Sequence, residues 1–498
     1  MKKIILFLLM IFFFTNCSGF SQEQDLLLNN EFKLFKKKEY RFFKLSDEVY
    51  SELFEKKLEE RPVIIDTSKY HSAFQEYNWK SNMFIPIGEV IGLNFSLSAF
   101  NNYVGGHEYA KISFKSVKHN LDTGFVWDDD DFSMNQFGHP YHGNLYFNMA
   151  RTNGHSFWES VPFAFGGSSM WEMFMETDPP QTNDIIQTSI GGAMLGEMTY
   201  RITSLILDES KTGMNRFFRE FISTIINPVR GFNRLIRGEM SRHTTTNVND
   251  VFPVMHKLNV GYAGINQTEK VKFDKSNLML EYIFTYGWMY NQKEIKPFDF
   301  FRIRLGFDAR KGDSPSSWVY AYGLLWGTNH FTKRKESFTF GAFHDYDFFY
   351  NSLYRLGMQS VGLGMIYRSP VDWKVRLMGS FHSNFVAMGA FKPIYSKEEV
   401  RDYDYTIGNK TMIEVLAEFG PIGLCLEYRF YYLKTVNGWA GQHKFGVLNP
   451  KILISIYKGF GLGAEYLFYY TQRHGIFENA ERYNRTISEQ RLYLSYFF

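Results

Sequence analysis

The stretch FDFFRIRLGFDAR at residues 298–310 decides the fold class, because apolar and charged residues alternate along it. A period of two places successive side chains on opposite faces of a β-strand. One face of this strand is therefore expected to contact lipid and the other a wet interior. The apolar set is Phe301, Ile303, Leu305, Phe307 and Ala309, and the charged set is Arg302, Arg304, Asp308 and Arg310.

The same alternation recurs from about residue 256 to the C-terminus. It predicts about twelve antiparallel strands, an even number as in bacterial outer-membrane barrels. In 318–326 the set Trp318, Tyr320, Tyr322, Leu324 and Trp326 is expected to face outward, because aromatic girdles lie at both membrane interfaces. Short and long connections alternate between the strands as a barrel requires, except that the connection at 289–298 is longer than a periplasmic turn should be.

The composition agrees with a barrel. Aromatic residues make up 18% of the chain, yet the mean hydropathy is only −0.28, because lipid-facing and lumen-facing residues cancel in the average. After the first 21 residues no stretch of about 18 apolar residues occurs, which argues against a spanning helix. The net charge of +3 comes without a basic block, which excludes nucleic acid as an expected partner. A soluble β-sandwich is the alternative, but it would not need so many aromatic strands or a terminal Phe498.

Both chain ends indicate export to the outer membrane. Residues 1–21 have the basic start, apolar run and small-residue end of a signal peptide. Lipidation of Cys17 is the alternative to ordinary cleavage near Ser21. The C-terminal residues are apolar at every second position and end in Phe498, as in the signal that barrels present to their insertion machinery. The expected partners are therefore this machinery and outer-membrane lipid.

The chain is expected to be an α+β membrane protein, with a helical domain before the barrel. A Lys- and Glu-rich leader follows the signal at 22–80, and the helical domain is predicted at 81–237. A linker rich in Ser, Thr and Asn is predicted at 238–252 and the barrel at 253–498.

Several residues of the predicted helical domain are typical of helix ends and close packing. Ser156 and Glu159 form a capping box, the PP pair at 179–180 ends that helix, and Thr182 or Asn183 is expected to cap the next. Glycines on that next helix are expected to let neighbouring backbones approach closely. They are Gly191, Gly192 and Gly196.

The densest set of unusual residues is GHPYHGNLYFNMAR at 138–151, followed by WE pairs at 158–159 and 171–172 and by GGAMLGE at 191–197. With these motifs, residues 100–225 resemble an uncharacterised bacterial family of outer-membrane proteins, domain-of-unknown-function family 3943. The pattern of HPYHG, LYFN-x-AR, WE and GG-x-x-x-GE matches residue for residue. The resemblance implies an envelope protein with a helical region before a barrel, and it implies no particular activity.

Imidazole and carboxylate side chains of this region are candidates for acid–base chemistry. The catalytic candidates are His139, His142, Glu159, Glu172, Glu176 and Glu197, and the binding candidates are Asn148, Arg151, Asp184 and Arg201. Glu172 and Glu176 are expected on one helical face. A packed hydrogen-bonded network is the favoured interpretation, because Pro140 biases His139 toward extended geometry and no HExxH motif accompanies the histidines. No metal or cofactor is predicted.

Charged residues at inward positions of the strands form a second candidate set. They either cross-link a narrow lumen, which is the favoured interpretation, or line a selective polar pathway. A lumen charge such as Arg304 is expected to tolerate substitution. The set is Arg302, Arg304, Arg310, Lys374, Arg376, Glu427 and Arg429.

Three functions are consistent with these observations. The first is transport or envelope maintenance, with a periplasmic-side helical domain docked on the barrel. The second is a membrane-embedded enzyme acting on envelope lipid or glycan through the His and Glu residues. The third is a structural or assembly role without chemistry. No substrate is predicted.

Overall fold

The structure is a computed structural model that describes most of the chain after residue 79. The described residues are 80–127, 131–245, 247, 254–266, 277–287, 295–309, 316–332, 336–350, 354–370, 373–393, 403–475 and 483–498. The predicted signal peptide, Cys17, the leader up to residue 79 and Arg310 lie outside them, as does much of the predicted linker.

Twelve antiparallel strands form one closed barrel, which confirms the predicted fold class. The last strand pairs with the first, with Val260 opposite Leu494. Both ends of the barrel segment, Val254 and Phe497, lie at what we call the terminal end, and the opposite end is called the loop end. The strands are β1 (Val254–Asn266), β2 (Asn277–Gly287), β3 (Phe300–Ala309), β4 (Ser316–Phe331), β5 (Ser337–Tyr350), β6 (Tyr354–Arg368), β7 (Arg376–Pro393), β8 (Asp404–Phe419), β9 (Ile422–Asn437), β10 (Gly441–Tyr457), β11 (Phe460–Gly475) and β12 (Tyr483–Phe497).

The outward face of β4 was predicted wrongly. Trp318 points into the lumen, where its indole N–H donates to Glu281 at 3.0 Å, and the ring of Tyr320 lies 3.7 Å from the Arg429 guanidinium. Alternation separates two sets of side chains but does not say which set faces lipid when both are apolar. A bulge between Leu324 and Trp326 then reverses the pattern, so that only Trp326 of the predicted outward set is strongly exposed.

Buried apolar side chains fill the lumen toward the loop end. They come from the inward positions of strands on all sides of the barrel and belong to one continuous cluster. Since protein interiors pack densely, such a cluster excludes water from this half of the lumen. The inward members toward the loop end are Met279, Phe349, Leu356, Met358, Val386, Phe391, Tyr431, Leu433, Phe445, Val447, Leu467, Tyr469 and Ile487.

The described residues before the barrel form eight α-helices and two π-helical turns. No helix among them is long and apolar enough to cross a bilayer. The helices are α1 (Phe84–Tyr103), α2 (Phe114–Thr123), α3 (His139–Arg151), α4 (Phe157–Phe174), α5 (Thr182–Ile186), α6 (Gly192–Ile206), α7 (Gly213–Ile226) and α8 (Pro228–Ile236), and the π-helical turns are Met134–Gly138 and Gln187–Gly191.

Local sequence signals at the helix ends were partly correct. Ser156 and Glu159 form the predicted capping box at the start of α4. The predicted cap of α5 is wrong, because Gln181 occupies the N-cap position without a side-chain hydrogen bond to the helix. The close approach at the glycines is confirmed, since a Cβ atom on Gly192 would collide with the backbone of Gly143 in α3.

The helical domain packs against the outside of the barrel wall. Its residues Phe147 and Met198 share an apolar cluster with Tyr282 and Phe301, which project outward near the terminal end of β2 and β3. A second apolar cluster joins Phe132 to wall residues at the loop end of β5, β7 and β8. The wall, rather than the mouth of the barrel, is therefore the docking surface.

Deleting Phe498 is expected to lower the assembled fraction of the barrel. Its backbone exchanges hydrogen bonds of 3.3 and 3.2 Å with His256 of β1, and its ring stacks on the His256 ring at 5.1 Å. The deletion removes the last backbone pair that closes the barrel. Heat-modifiable migration on gels measures assembly, and Phe498→Tyr, which keeps the stack, is the matched control. Equal assembly of the deletion and the wild type would contradict the prediction.

Candidate functional site

Helix α3 positions the HPYHG segment. The π-helical turn Met134–Gly138 runs directly into α3, so His139 has helical backbone angles (φ −63°, ψ −47°) and Pro140 lies in the first helical turn. Proline is well tolerated in the first turn of an α-helix, because a backbone N–H at that position would have no acceptor within the helix. The expected extended geometry at His139 is therefore wrong.

A chain of polar contacts leads from α3 to the barrel. Nε2 of His139 lies 3.2 Å from Oδ1 of Asp184, and the Asn183 amide donates to the same oxygen at 2.6 Å. Asn183 also donates to Asn135 at 3.0 Å, and Asn135 donates to the Tyr403 hydroxyl at 2.7 Å, directly before β8. We call these five residues the docking chain. It joins a predicted catalytic candidate and a predicted binding candidate to the barrel wall.

His142 lies apart from the docking chain. Its ring packs on Tyr146 at 4.5 Å and edge-on against Trp171 at 5.0 Å, with Nε2 buried and without a hydrogen-bond partner among the described residues. Burial, with a smaller contribution from His139, lowers the His142 pKa to about 3. The ring is thus neutral at physiological pH.

The other acidic candidates do not form one site. Helix α4 ends at Phe174, so Glu172 and Glu176 do not share a helical face as predicted. Glu176 turns back to accept the indole N–H of Trp171 at 2.5 Å, and Glu172 accepts the backbone N–H of Gln181 at 3.0 Å. Glu159 is part of the capping box, and a hydrogen bond from Lys80 lowers its pKa to about 2.

Glu197 on α6 is the centre of a buried ion cluster. Its carboxylate lies 2.7 Å from Nε of Arg151 and 2.7 Å from Nε of Arg201. Burial alone would raise the Glu197 pKa, but the two guanidinium groups outweigh it and hold the pKa below its usual range. Close by, the predicted binding candidate Asn148 donates to the backbone of Gly196 at 3.2 Å, which ties α3 to α6.

Arg201 carries this cluster to the barrel. It donates to the Pro297 carbonyl at 2.6 Å and pairs with Asp299 at 3.0 Å. Both residues belong to the β2–β3 connection, and the buried ring of Phe298 between them packs on Phe157 at 5.6 Å. The described part of this connection, residues 295–299, lies along β4, where Ile295 pairs with Gly327 and the Phe298 N–H donates to the Leu324 carbonyl at 2.6 Å, and it holds the helical domain there.

A second ion cluster bridges the lumen between distant strands. Arg304 of β3 contacts Glu281 of β2 and lies 3.0 Å from Glu427 of β9 and 3.5 Å from Glu465 of β11. The cavity left beside these charges is about 70 Å³, room for a few water molecules. Arg304 is the shared partner of three buried carboxylates, so the structure leads us to expect, against the sequence-based prediction, that its substitution destabilises the barrel.

The other predicted lumen residues lie in different surroundings. Arg302 pairs with Glu414 at 3.2 Å and lines the same cavity, as do Glu427 and Arg429. Arg376 pairs with Glu418 at 3.2 Å. Lys374 was placed wrongly, because it precedes β7 and is exposed. Among the described residues, no group of three or more His, Cys, Asp or Glu side chains is placed to hold one metal ion.

Comparison with known proteins identifies the helical domain. Residues 124–229 match the family described as Domain of unknown function (DUF3943). This segment is similar to the DUF3943 family, and we call the helical domain that contains it the DUF3943 domain. The matched segment contains α3 to α7, all residues of the docking chain except Tyr403, and the Glu197 cluster, and the match agrees with the resemblance of residues 100–225. No curated protein sequence matches the chain.

Solved structures with some likeness to the chain are outer-membrane proteins. The anion-selective porin from Comamonas acidovorans is 10% identical, with 49% of this chain and 99% of that chain covered and a TM-score of 0.23. The outer membrane channel DcaP of Acinetobacter baumannii is 9% identical, with 50% of this chain and 96% of that chain covered and a TM-score of 0.21. Such low scores support no argument about function, and the barrel is established here by its own strand pairing.

Two residues of the wall beneath the DUF3943 domain were not predicted as functional residues, although their polar side chains at outward strand positions could have indicated them. His344 of β5 and Gln359 of β6 project outward, where lipid contact would require apolar side chains. They hydrogen bond to each other at 2.9 Å and are buried, and the Gln359 amide lies against Gly191 of the domain. Polar residues at outward positions thus indicate a part of the wall that is covered by protein.

Replacing Tyr403 by Phe is expected to loosen the DUF3943 domain from the barrel. The change removes the acceptor of the buried Asn135 amide, and an unsatisfied buried polar group costs about 1 to 3 kcal/mol. Limited proteolysis of the domain in the assembled protein measures the effect. Tyr457→Phe, at a residue that is 62% exposed, is the matched control. Equal protease resistance of the two variants would contradict the role of the docking chain.

The His142 pKa predicts a loss of domain stability in acid. An unfolded histidine binds a proton near pH 6.5, whereas folded His142 does so only at about pH 3. The unfolded state therefore binds more protons between these values, and the stability contribution of His142 falls as the pH falls through this window. Unfolding of the wild type and His142→Gln should diverge between pH 6.5 and 3, with the variant less acid-sensitive. Parallel pH profiles would contradict this.

Proposed function

We propose that this outer-membrane barrel protein works in envelope maintenance, and that its barrel anchors the DUF3943 domain in the membrane rather than conducting solute. The observation that carries the proposal is the filled lumen. The apolar cluster led by Phe349, Phe391 and Phe445 occupies the loop-end half, and the Arg304 cluster bridges the other half. A diffusion channel needs a continuous wet path, and these two clusters lie across that path in the part of the lumen that the structure describes.

The attachment of the DUF3943 domain supports the same proposal. Arg201 ties the domain to the β2–β3 connection at the terminal end, and Asn135 ties it to Tyr403 next to the loop end of β8. Two separated polar attachments, with apolar packing between them, fix a domain more firmly than one hinge would. A rigidly held domain is suited to an anchor and poorly suited to a gate.

Conductance measurements test the closed lumen. Purified wild-type protein in planar bilayers is expected to give no current steps. Arg304→Ser is expected to stay silent as well, because the apolar half of the lumen is unchanged. Discrete channel openings of the wild type would refute the anchoring role of the barrel and would support the transport hypothesis instead.

Envelope integrity tests the role of the docked domain. A strain that lacks the gene is expected to become sensitive to detergent and bulky antibiotics, and the wild-type gene should restore resistance. Arg201→Met, produced as an assembled barrel, should restore it poorly because the domain loses its attachment at the terminal end. Full rescue by this variant, with the domain shown by proteolysis to be undocked, would contradict the proposal.

A lipid-directed enzyme is the second candidate, and His142 is the observation that favours it. His142 is a neutral imidazole three residues from the His139–Asp184 pair, and its Nε2 has no hydrogen-bond partner among the described residues, so it can accept a proton, although a pKa of about 3 makes it a weak base. His142→Ala with lost function but unchanged protease resistance would support the enzyme. Protease sensitivity of His142→Ala that is relieved in His142→Gln would support a structural role.

A further inference from the structure

Helices α7 and α8 turn their apolar side chains outward and most of their charged side chains inward. Phe217 and Phe232 are each 56% exposed, whereas Arg219 and Arg234 are buried. A surface helix of a soluble protein has the opposite arrangement, with its apolar stripe toward the core. The exposed apolar residues of the two helices are Met214, Phe217, Phe218, Phe221, Ile225, Phe232, Leu235 and Ile236.

A network of ion pairs fixes this inverted orientation. Arg234 of α8 lies 2.9 Å from Glu209, 2.8 Å from Glu220 of α7 and 3.1 Å from Glu239. Arg216 of α7 lies 2.6 Å from the same Glu220. Breaking buried ion pairs is strongly unfavourable. The two helices therefore do not rotate to hide their phenylalanines, and the apolar face is a permanent feature of the surface.

This face continues the lipid-facing surface of the barrel. Ile222 and Ile226 of α7 belong to the apolar cluster that includes Phe284 of β2, Leu258 of β1 and Phe498, at the terminal end. Other outward residues of β1 and β12 are uncovered and apolar, among them Val260 at 40% and Leu494 at 45% exposure. Because the barrel spans the membrane, a surface that adjoins its bare wall at this level lies beside the bilayer.

We propose that the exposed faces of α7 and α8 are buried among the acyl chains of the membrane leaflet at the terminal end of the barrel. The inference extends the proposed function by naming the partner of the DUF3943 domain as phospholipid. An apolar helix face beside the hydrocarbon region gains about 25 cal/mol for each Å² removed from water. The internal ion network removes the charged groups that would oppose insertion.

Site-directed spin labelling tests the proposal on the full chain. The background carries Cys17→Ser and Cys425→Ser, and single labels are introduced as Phe221→Cys, Phe232→Cys or Leu235→Cys. The protein is reconstituted in vesicles of phosphatidylethanolamine and phosphatidylglycerol. The measured quantity is the accessibility of each label to oxygen, which concentrates in lipid, relative to a nickel chelate, which stays in water. Leu494→Cys on the bare wall and Lys458→Cys in the β10–β11 turn are the lipid and water controls.

The expected ratio at the helix positions matches that at Leu494 and is several-fold above that at Lys458. A ratio equal to that at Lys458 would place the helices in water and overturn the proposal. Labels that neither reagent reaches would indicate a second copy of the chain on this face, which also overturns it. Heat-modifiable migration shows that each variant has assembled. Because three helix positions are labelled separately, the test still stands if one of the cysteine variants does not fold. Channel conductance of the wild type would refute the closed lumen, but it would not change the ratio of oxygen to nickel accessibility at the labels. The proposed function and the lipid contact of α7 and α8 can therefore be refuted independently.

Discussion

Replacing Glu197 by Gln is expected to destabilise the helical domain by about 3 to 5 kcal/mol, the range for breaking a buried ion pair. The carboxylate is fully buried and accepts from both Arg151 and Arg201, so its replacement removes the anion that the two guanidinium groups share, although Asp299 still pairs with Arg201. Burial of two guanidinium groups without their shared anion is the physical cause of the loss. The attachment at the β2–β3 connection should weaken with it.

Limited proteolysis and thermal unfolding of the reconstituted protein measure this effect. Glu159→Gln is the matched control, since it removes a carboxylate of the same domain at a largely exposed position and glutamine still completes the capping box. The double variant Glu197→Gln with Arg151→Met should recover part of the loss, because one of the unpaired cations is gone. A Glu197→Gln protein as stable as the control would show that the cluster contributes nothing.

Replacing Arg304 by Met is expected to cost the barrel about 3 to 5 kcal/mol, again the range for breaking a buried ion pair. Glu281, Glu427 and Glu465 then lose their shared cation, although Lys451 and Arg429 still pair with Glu427 and Arg491 lies 3.8 Å from Glu465. Three carboxylates in a nearly dry lumen repel each other. The barrel should unfold at lower denaturant concentration without any change in its lipid-facing surface.

Denaturant unfolding in lipid vesicles, followed by tryptophan fluorescence, measures the loss. Arg302→Gln is the matched control, because Arg302 and its partner Glu414 are more exposed, at 27% and 22% of their side chains, and pairs of this kind contribute less. The double variant Arg304→Met with Glu281→Gln should lose less than the two single variants together. Equal midpoints for Arg304→Met and Arg302→Gln would mean that the bridge across the lumen is not stabilising.

The alternation of apolar and polar residues identified the barrel, because the residue types along each strand reflect the lipid on one face and the lumen on the other. The stretch at 298–310 is decisive for that reason, since lipid and lumen demand different chemistry on its two faces. In β4 both faces are apolar or aromatic, because Trp318 and Tyr320 pack on cations inside the lumen while Val319 and Ala321 lie beneath the helical domain. A local pattern cannot distinguish these two environments.

The candidate residues of the helical domain were found by their chemistry, but their partners were not. His139 pairs with Asp184, and Arg201 pairs with Asp299, which directly follows the predicted 289–298 connection. These pairings arise from the packing of distant segments, which no spacing rule reports. The excess length of the 289–298 connection and the polar residues at outward positions of β5 and β6 were the sequence features that indicated an attachment. The π-helical turn before α3 keeps His139 helical although Pro140 follows it, and no sequence signal predicted this turn.

The docking chain also bears on the order of biogenesis. Asn135 and the Tyr403 hydroxyl that it requires are 268 residues apart, with seven strands of the barrel between them. Contacts so distant in sequence form late and slowly. The docking chain can therefore be completed only after the segment directly before β8 has taken its place in the wall, and until then the Asn135 amide lacks its acceptor on the barrel.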